Sequence, residues 1–460
     1  MTAKVIICGA GQVGYNVARY LSHYDVNVTC IDKERDLITR LSEKLDIQGI
    51  CGSASHPEVL ERAGVRDADV FLAVTQVDEV NMVACEIAHA LFNVGTKIAR
   101  IRNKAYFNPR WQRIFDPGNL SVDVIISPEL EVAKSISQSL EVPGAFAIYT
   151  LCDGRIRIVG VKCNLETPVI NTPITHIASL FPHVEMVVLG IIRGDQHIIP
   201  TEEEILRNGD EVYFCCETFV VDKAMQAFVS NIDQSCRVMI LGGGNIGVSL
   251  AQEIETHYPK ASLRIIERDK RQAEEITNEL QNTVVLRGDA LDSEILKEAG
   301  VGSTDMVVAV TDDDQVNTLA ALLAKRHGAK YVQALINNRS YGSFVTSLGI
   351  DALINPRAIT VSRILEHIRK GRVLRVHSIR EGFGEVIEIE VHENSNLVGS
   401  KVEDISAPTE ILISVILRDE KIIFPTPDII IQNNDRLVMM VASHMIPKVE
   451  KMLSEQITYF

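Results

Sequence analysis

The stretch Lys4-Val5-Ile6-Ile7-Cys8-Gly9-Ala10-Gly11-Gln12-Val13-Gly14 decides the fold. An apolar, strand-like run leads directly into a Gly-x-Gly-x-x-Gly turn, and a helical run, Val13–His23, follows. In this context each glycine has a distinct role. The first permits the tight turn, the second lets backbone approach a pyrophosphate, and the third allows close helix–strand packing. The N–H groups at the helix start then face the phosphates.

The turn occurs twice. Gly242-Gly243-Gly244-Asn245-Ile246-Gly247 lies 233 residues beyond Gly9–Gly14, and Glu267 lies 235 beyond Asp32. Gly52 and Gly288, Ala63-Gly64-Val65 and Ala299-Gly300-Val301, Thr75 and Thr311, and Asn81 and Asn317 are all 236 apart. So steady an offset marks an internal duplication.

Around each turn, apolar strands alternate with helices. In the first copy the strands are Val5–Cys8, Val26–Ile31, Val70–Val74, Ile98–Ile101 and Val122–Ile126. The helices are Val13–His23, Asp36–Leu45, Pro57–Ala63 and Glu79–Phe92. Strands that are apolar throughout are buried on both faces, so the pattern predicts a doubly wound parallel sheet of the Rossmann-like α/β class in each copy. Ser127-Pro128 and Asn355-Pro356 then close a strand and open a helix, since proline suits a first helical turn. After each comes a region of short strands: Arg155–Val161, Glu185–Ile192 and Glu211–Cys216, then Val386–Val391, Leu412–Leu417 and Arg436–Val441. Arg193, Pro200 and Asp210 recur as Arg418, Pro425 and Asp435, each 225 residues on. The expected layout is a Rossmann-like domain over 1–126, a crossover helix over 127–142 and a small α+β lobe over 143–231. The same three modules recur over 236–355, 356–371 and 372–460.

The candidate ligand residues follow from this layout. Gly9, Ala10, Gly11, Gln12, Val13 and Gly14 form the first phosphate turn, and Gly242, Gly243, Gly244, Asn245, Ile246 and Gly247 the second. Asp32 and Glu267 end the second strand of each copy, where a carboxylate accepts both adenosine ribose hydroxyls and repels the extra phosphate of NADP. The adjacent Lys33 and Arg268 weaken that repulsion, yet NAD(H) is favoured. Gly52-Ser53 and Gly288-Asp289 follow the third strand, alongside adenine. Val74-Thr75 and Thr311 close the fourth strand at the crevice. Arg100, on the fifth strand, reads either as a phosphate contact or as a surface arginine. Its counterpart is Leu335, so the two sites are expected to differ.

Composition narrows the function. Against 46 lysines and arginines stand 61 aspartates and glutamates, a net charge of −15, which repels nucleic-acid backbones and anionic lipid. No uncharged apolar run reaches the ~18 residues of a membrane helix. The strand-like start leaves no room for a signal peptide, and a cytoplasmic chain is expected. The nine cysteines are scattered without Cys-x-x-Cys, mostly within apolar runs, and no metal site is proposed. The rival to a binding function is an NAD-dependent oxidoreductase, but the second large unit is another nucleotide fold rather than a substrate domain supplying an acid–base residue.

Three stretches together resemble a known family: the turn ending Gln12-Val13-Gly14, Gly52-Ser53-Ala54-Ser55-His56-Pro57, and Asp78-Glu79-x-Asn81-Met82-Val83-Ala84-Cys85. They are similar to the TrkA family, the NAD-binding regulatory subunits of the bacterial Trk potassium uptake system, which carry paired RCK domains (regulators of potassium conductance). The likeness spans essentially the whole chain. It implies that Gly9 through Val13, Asp32, Gly52, Ser53, Thr75 and Arg100 hold one nucleotide, and that Gly242 through Ile246, Glu267, Gly288, Asp289 and Thr311 hold another. It also implies NAD(H), with ATP or ADP in some relatives. Its further implications are a homo-oligomeric, tetrameric ring and a membrane potassium-translocating partner on whose cytoplasmic face the ring sits.

One segment stands apart. Asn103 and Asn338 are 235 apart but Asp123 and Asp351 only 228, so the first copy carries seven extra residues between them. These surround Arg110-Trp111-Gln112-Arg113, with the only tryptophan. The segment reads as an anchor for another subunit or the membrane partner, or as a longer helix packing its own tryptophan.

Overall fold

The computed structural model describes residues 3–22, 26–108, 110–116, 118–142, 144–182, 184–194, 196–201, 203–229, 236–338, 345, 348–368, 373–379, 384–406 and 410–453. The expected helix end at His23 and module limits at residues 1, 143, 231, 371, 372 and 460 lie outside them.

The first copy runs β1 (Ala3–Cys8), α1 (Gln12–Leu21), β2 (Val26–Asp32), α2 (Arg35–Lys44), β3 (Gln48–Cys51), α3 (Pro57–Arg62), β4 (Val70–Ala73), α4 (Asp78–Ala90), β5 (Thr96–Arg100), β6 (Val124–Ile126) and α5 (Pro128–Gln138). Its strands are all parallel, in the order β3-β2-β1-β4-β5-β6. The order reverses direction at β1/β4, and such a switch point opens a crevice at the carboxyl ends of the strands. Val5, Ile6, Ile7 and Cys8 are fully buried, as expected of a strand covered on both faces.

The first lobe holds β7 (Ala145–Leu151), β8 (Ile156–Lys162), α6 (Ile174–Leu180), β9 (Met186–Arg193), β10 (Gln196–Ile198), β11 (Glu211–Glu217) and α7 (Val221–Met225). The second copy repeats the α/β pattern as β12 (Arg237–Leu241), α8 (Asn245–His257), β13 (Ser262–Glu267), α9 (Lys270–Glu279), β14 (Thr283–Arg287), α10 (Ser293–Glu298), β15 (Met306–Ala309), α11 (Asp314–Arg326), β16 (Tyr331–Leu335), β17 (Ala352–Ile354) and α12 (Pro356–Ile368). Its sheet order, β14-β13-β12-β15-β16-β17, matches the first. The second lobe comprises β18 (Val373–Ile379), β19 (Gly384–Glu390), α13 (Val402–Ile405), β20 (Ile411–Arg418), β21 (Lys421–Ile423), β22 (Arg436–Ala442) and α14 (Ile446–Leu453). The lobe sheets, β10-β9-β11-β8-β7 and β18-β19-β22-β20-β21, are antiparallel with matching strand order. Among the described residues, no helix is long and apolar enough to cross a membrane.

The chain forms two compact units, and their contents depart from chain order. One unit is Met1–Val132 with Pro356–Ile368; the other is Ala133–Asn355 with Arg369–Phe460. Within the first unit, α12 lies along α1. Its Val361, Ile364 and Leu365 join Val17, Leu21, Val70, Leu72 and Ile98 in one core, and Arg363 faces Glu131 at 3.8 Å. Within the second unit, Ser139, just past α5, accepts from Gln333 Nε2 on β16 (3.2 Å) and meets Met306 Sδ on β15. Each copy therefore gives its trailing helix toward the other copy's sheet, an exchange that periodicity alone does not reveal.

The two lobes share a core in the second unit. Leu151, Ile156, Ile158, Leu189 and Cys215 pack with Ile379, Val386, Val415, Val438 and Met440. Tyr149 and His377, repeat partners 228 residues apart, stack ring on ring at 4.7 Å. Around this core Cys152 N donates to Glu388 Oε2 (3.0 Å), Arg436 reaches Asp153 (2.6 Å) and Arg155 reaches Glu420 (2.9 Å).

The recurring arginine and aspartate of the lobes form a clip. Asp210, fully buried, takes Nε and Nη2 of Arg193 (both 2.9 Å) and the N–H of Arg207 (2.8 Å). Asp435 takes Arg418 (2.8 Å twice) and Gln432 N in the same way. Each arginine also donates to the carbonyl at the repeat-equivalent position, Ile205 or Ile430 (2.8 Å). Asp210→Ala strands the guanidinium and an N–H, at an expected cost of ~3 kcal/mol. Urea unfolding followed by circular dichroism should show the midpoint falling accordingly; an unchanged midpoint would refute the clip.

Candidate functional site

Each crevice is built by the glycine turn. Gly9 has φ +109° and Gly242 +110°, the left-handed region where only glycine is unstrained. A Cβ on Gly9 would also lie 3.0 Å from the Val74 carbonyl and from Thr75 N; on Gly242 it would lie 2.9 Å from Thr311 N. A Cβ on Gly14 would run into the carbonyl oxygen of Gly9, and one on Gly247 into that of Gly242. These two contacts clamp the start of the helix against the turn. Gly11 and Gly244 differ: both cap their helices with φ near −70° and extended ψ, and an added Cβ would meet nothing within 4 Å. Glycine caps with no side chain, so the first-turn N–H groups of Gln12-Val13 and Asn245-Ile246 are left for a ligand or water.

The carboxylates ending the second strands hold the turns. Asp32 accepts from Ala10 N (2.6 Å) through one oxygen and from Glu34 N (2.9 Å) through the other. Glu267 repeats this with Gly243 N (2.8 Å) and Asp269 N (2.7 Å). Each oxygen keeps lone-pair capacity, so a carboxylate that shapes the turn can still accept a further hydrogen bond. In the second copy Gln272 Nε2 also donates to Gly243 O (3.0 Å).

The opposite wall has a lock to which the sequence alone assigns no role. Asn81, fully buried, accepts from Thr75 N (2.9 Å) and Thr75 Oγ1 (2.6 Å) while donating to the carbonyls of Thr75 (3.2 Å) and Arg100 (2.8 Å). Asn317 does the same for Thr311 and the Leu335 carbonyl. One buried amide thus ties the ends of the fourth and fifth strands together. The signal was available, because Asn81 and Thr75 recur at one common offset. Asp78 and Asp314 extend the wall by accepting the N–H groups of residues 102–103 and 337–338.

Gly52 and Gly288 serve packing: a Cβ there would come within 2.8 Å of Val59 or 2.7 Å of Ile295. Ser53 Oγ pairs with Ser55 Oγ at 2.9 Å, whereas Asp289 accepts from Leu291 N at 2.9 Å. Arg100 is half-buried and its Nε is a buried donor without a hydrogen-bond partner. Burial pulls its pKa down, and the nearby Glu129 pulls it back up. Leu335, its counterpart, is a buried apolar side chain.

Comparison with known proteins now bears on this geometry. Residues 5–128 and 238–356 match the model of the TrkA-N domain, and residues 386–454 that of the TrkA-C domain. The Trk system potassium uptake protein TrkA of Azorhizobium caulinodans is 40% identical over 99% of this chain and 100% of its own. The protein of that name from Vibrio alginolyticus is 35% identical over 96% of each chain. Among solved structures, the GsuK RCK domain has a TM-score of 0.60 at 16% identity, covering 98% of this chain and 95% of that one. The GsuK channel bound to NAD also gives 0.60 at 16%, with 98% and 79% covered. These likenesses show a shared fold.

The glycines separate ligand space from packing space. Gly14→Ala should cost ~1–3 kcal/mol through overpacking, whereas Gly11→Ala, which meets no atom and only exchanges one N-cap for a poorer one, should cost less, ~0.5 kcal/mol. Thermal unfolding of both variants checks this; equal losses would refute the division.

Proposed function

The chain belongs to the TrkA family, and from that premise we propose that it is a nucleotide-sensing regulatory subunit of a potassium uptake system, with dinucleotide held in its two crevices as a signal. One observation carries the reading: in both copies a strand-end carboxylate grips the glycine turn beside an open helix N-terminus. The residues fit NAD(H). Gly11, Gln12 and Val13 present N–H groups to a pyrophosphate, and Asp32 offers lone pairs to ribose hydroxyls while opposing the extra phosphate of NADP. The unpartnered Nε of Arg100 suits an anionic oxygen. Gly244, Asn245, Ile246 and Glu267 serve the second site. ATP or ADP would use the same phosphate and ribose groups.

When bound, the nucleotide supplies charge and shape, and the chain's residues convert these into a preference between arrangements. A ligand shifts such an equilibrium only by its differential affinity for the two states, and couplings of ~1–3 kcal/mol are typical. Both carboxylates hold loop N–H groups, and both asparagines tie crevice walls, so filling a crevice bears directly on backbone. The signal passes to a membrane potassium-translocating partner through docking on its cytoplasmic face, with copies of the chain assembled as a ring. The potassium-uptake name of the relatives favours this reading over the oxidoreductase one.

Two outcomes test this. In vesicles holding the membrane partner, NADH should change potassium flux through the wild-type complex, and Asp32→Ala with Glu267→Ala should abolish the response; flux indifferent to NADH, or oxidation of NADH during the assay, would overturn the reading. By calorimetry the Arg100 site should bind NADH more tightly than the Leu335 site. Arg100→Leu should weaken the stronger site about tenfold, in line with the ~1.5–3 kcal/mol of a charged hydrogen bond. Two indistinguishable sites would contradict that asymmetry.

A further inference from the structure

The seven extra residues of the first copy lie among two short 3-10 turns, Lys104–Phe107 and Gln112–Phe115, rather than in a longer helix, and Trp111 is 55% exposed. A continuous run of polar contacts lies elsewhere, in the unit that holds the second crevice and both lobes. It starts at the far end of α8. The N-terminus of that helix is the second glycine turn, and the close approach of Gly247 to the Gly242 carbonyl holds helix and turn as one body. At the other end Tyr258 caps the helix, its N–H donating to Ile254 O (2.7 Å). The phenol leaves the helix and donates to Glu141 Oε1 (3.1 Å), three residues past α5. Burial, and then the neighbouring Glu141, raise the phenol pKa above its ordinary value, so the hydroxyl keeps its proton.

Glu141 is shared between two elements. Its Oε2 takes Arg157 Nη2 of β8 at 2.6 Å, and both side chains are largely withdrawn from water, which limits screening of the pair. With both partners ionised, this contact is of the stronger kind. Arg157 Nη1 donates in turn to Thr150 Oγ1 on β7 (2.7 Å), and the Thr150 carbonyl accepts from Arg375 Nη1 on β18 (3.2 Å). Arg375 stands 3.8 Å from Glu388 on β19, the buried carboxylate that accepts Cys152 N. The run thus passes from the helix of the second glycine turn, through the first lobe, to the core that the lobes share. The repeat carries Tyr24, Arg369 and Glu385 at the positions of Tyr258, Glu141 and Arg157. Carboxylate and guanidinium have changed places there, so this order of donor and acceptor belongs to the second crevice. Tyr24 and Arg369 lie outside the described residues.

We infer that Tyr258, Glu141 and Arg157 form a relay by which filling of the second crevice is felt in the paired lobes. Coupling between separated sites is carried by rigid elements and by hydrogen-bond networks. Here the rigid element is α8 and the network is the phenol–carboxylate–guanidinium run. Phosphate at the α8 N-terminus acts on the helix as a body, and Tyr258 moves with it. Glu141 then follows only by drawing Arg157, and with it β8 and Thr150 of β7. Linkage is reciprocal, so whatever orders the lobes changes affinity at the second crevice by the same factor. The relay rests on the proposed nucleotide role of that crevice and adds where its occupancy is read.

The test uses the full-length Asp32→Ala protein, whose intact crevice is the second, with NADH as the probe. Calorimetry reads binding, and amide hydrogen exchange followed by mass spectrometry reads the lobes. NADH should bind and should slow exchange in β7, β8 and β18 about fivefold, the lower end of typical coupling. Tyr258→Phe, which removes one hydroxyl, and Glu141→Gln should each still bind NADH and still show slowing at the Gly242–Gly247 turn, while the slowing in the lobes is lost. Combining the two should lose no more than either alone, since both interrupt one run. Circular dichroism unchanged from the parent shows that the variants fold. Binding that leaves lobe exchange unchanged in the Asp32→Ala protein, or lobe slowing that survives Tyr258→Phe, would overturn the relay and leave the nucleotide role of the crevice standing. No NADH binding by the Asp32→Ala protein, against clear binding by wild type, would refute the second crevice as a nucleotide site and the relay with it.

Discussion

In each α/β copy everything turns on one steric contact: the third glycine of the turn lies so close to the carbonyl of the first that no Cβ fits between them. That approach aims the helix axis, and therefore its N–H groups, at the mouth of the sheet. The carboxylate at the end of the second strand completes the constraint by taking the N–H between the first two glycines. An aspartate in one copy and a glutamate in the other reach the same N–H group, the longer side chain accompanied by Gly243 where the first copy has Ala10. A Cβ at Gly243 would collide with Ile276. The two turns are thus separately solved versions of one geometry.

Much of this was legible in sequence because it is local. Strand runs that are apolar at every residue, glycine turns at a fixed offset and prolines opening two helices pointed to the sheet class and the repeat. The third strand of the first copy, Gln48–Cys51, is partly exposed and carries no such run, and edge strands β7 and β18 alternate too weakly to stand out. The helix exchange was not legible at all: α12 shows an ordinary apolar face, and nothing in its residues says which sheet it covers. Arg100 could be placed on its strand, but only the fold shows its Nε buried without a partner. Asn81 and Asn317 were visible as repeats, yet an amide with four bonds across two strands has no linear signature.

The lobes show how duplication is put to use. Their sheets have the same strand order and the same arginine–aspartate clip, but at their shared core the partners have diverged. Tyr149 stacks on His377, and Glu388, buried on β19, stands where the first lobe has Gly160. Burial raises the pKa of Glu388 against the opposing pull of the Cys152 N–H, Arg375 and Arg436. Polar groups that remain at such a core are matched across it, so each lobe is complementary to its diverged twin and no longer to itself.

The traded helix gives that divergence a physical basis. A protein with a single copy of the α/β pattern would have had to lend its trailing helix to a neighbouring molecule and borrow one in return. In this chain, where two copies follow end to end, the loan is made within one polypeptide. Because the missing piece comes from the same chain, the halves need not stay alike, and one crevice carries Arg100 where the other carries Leu335.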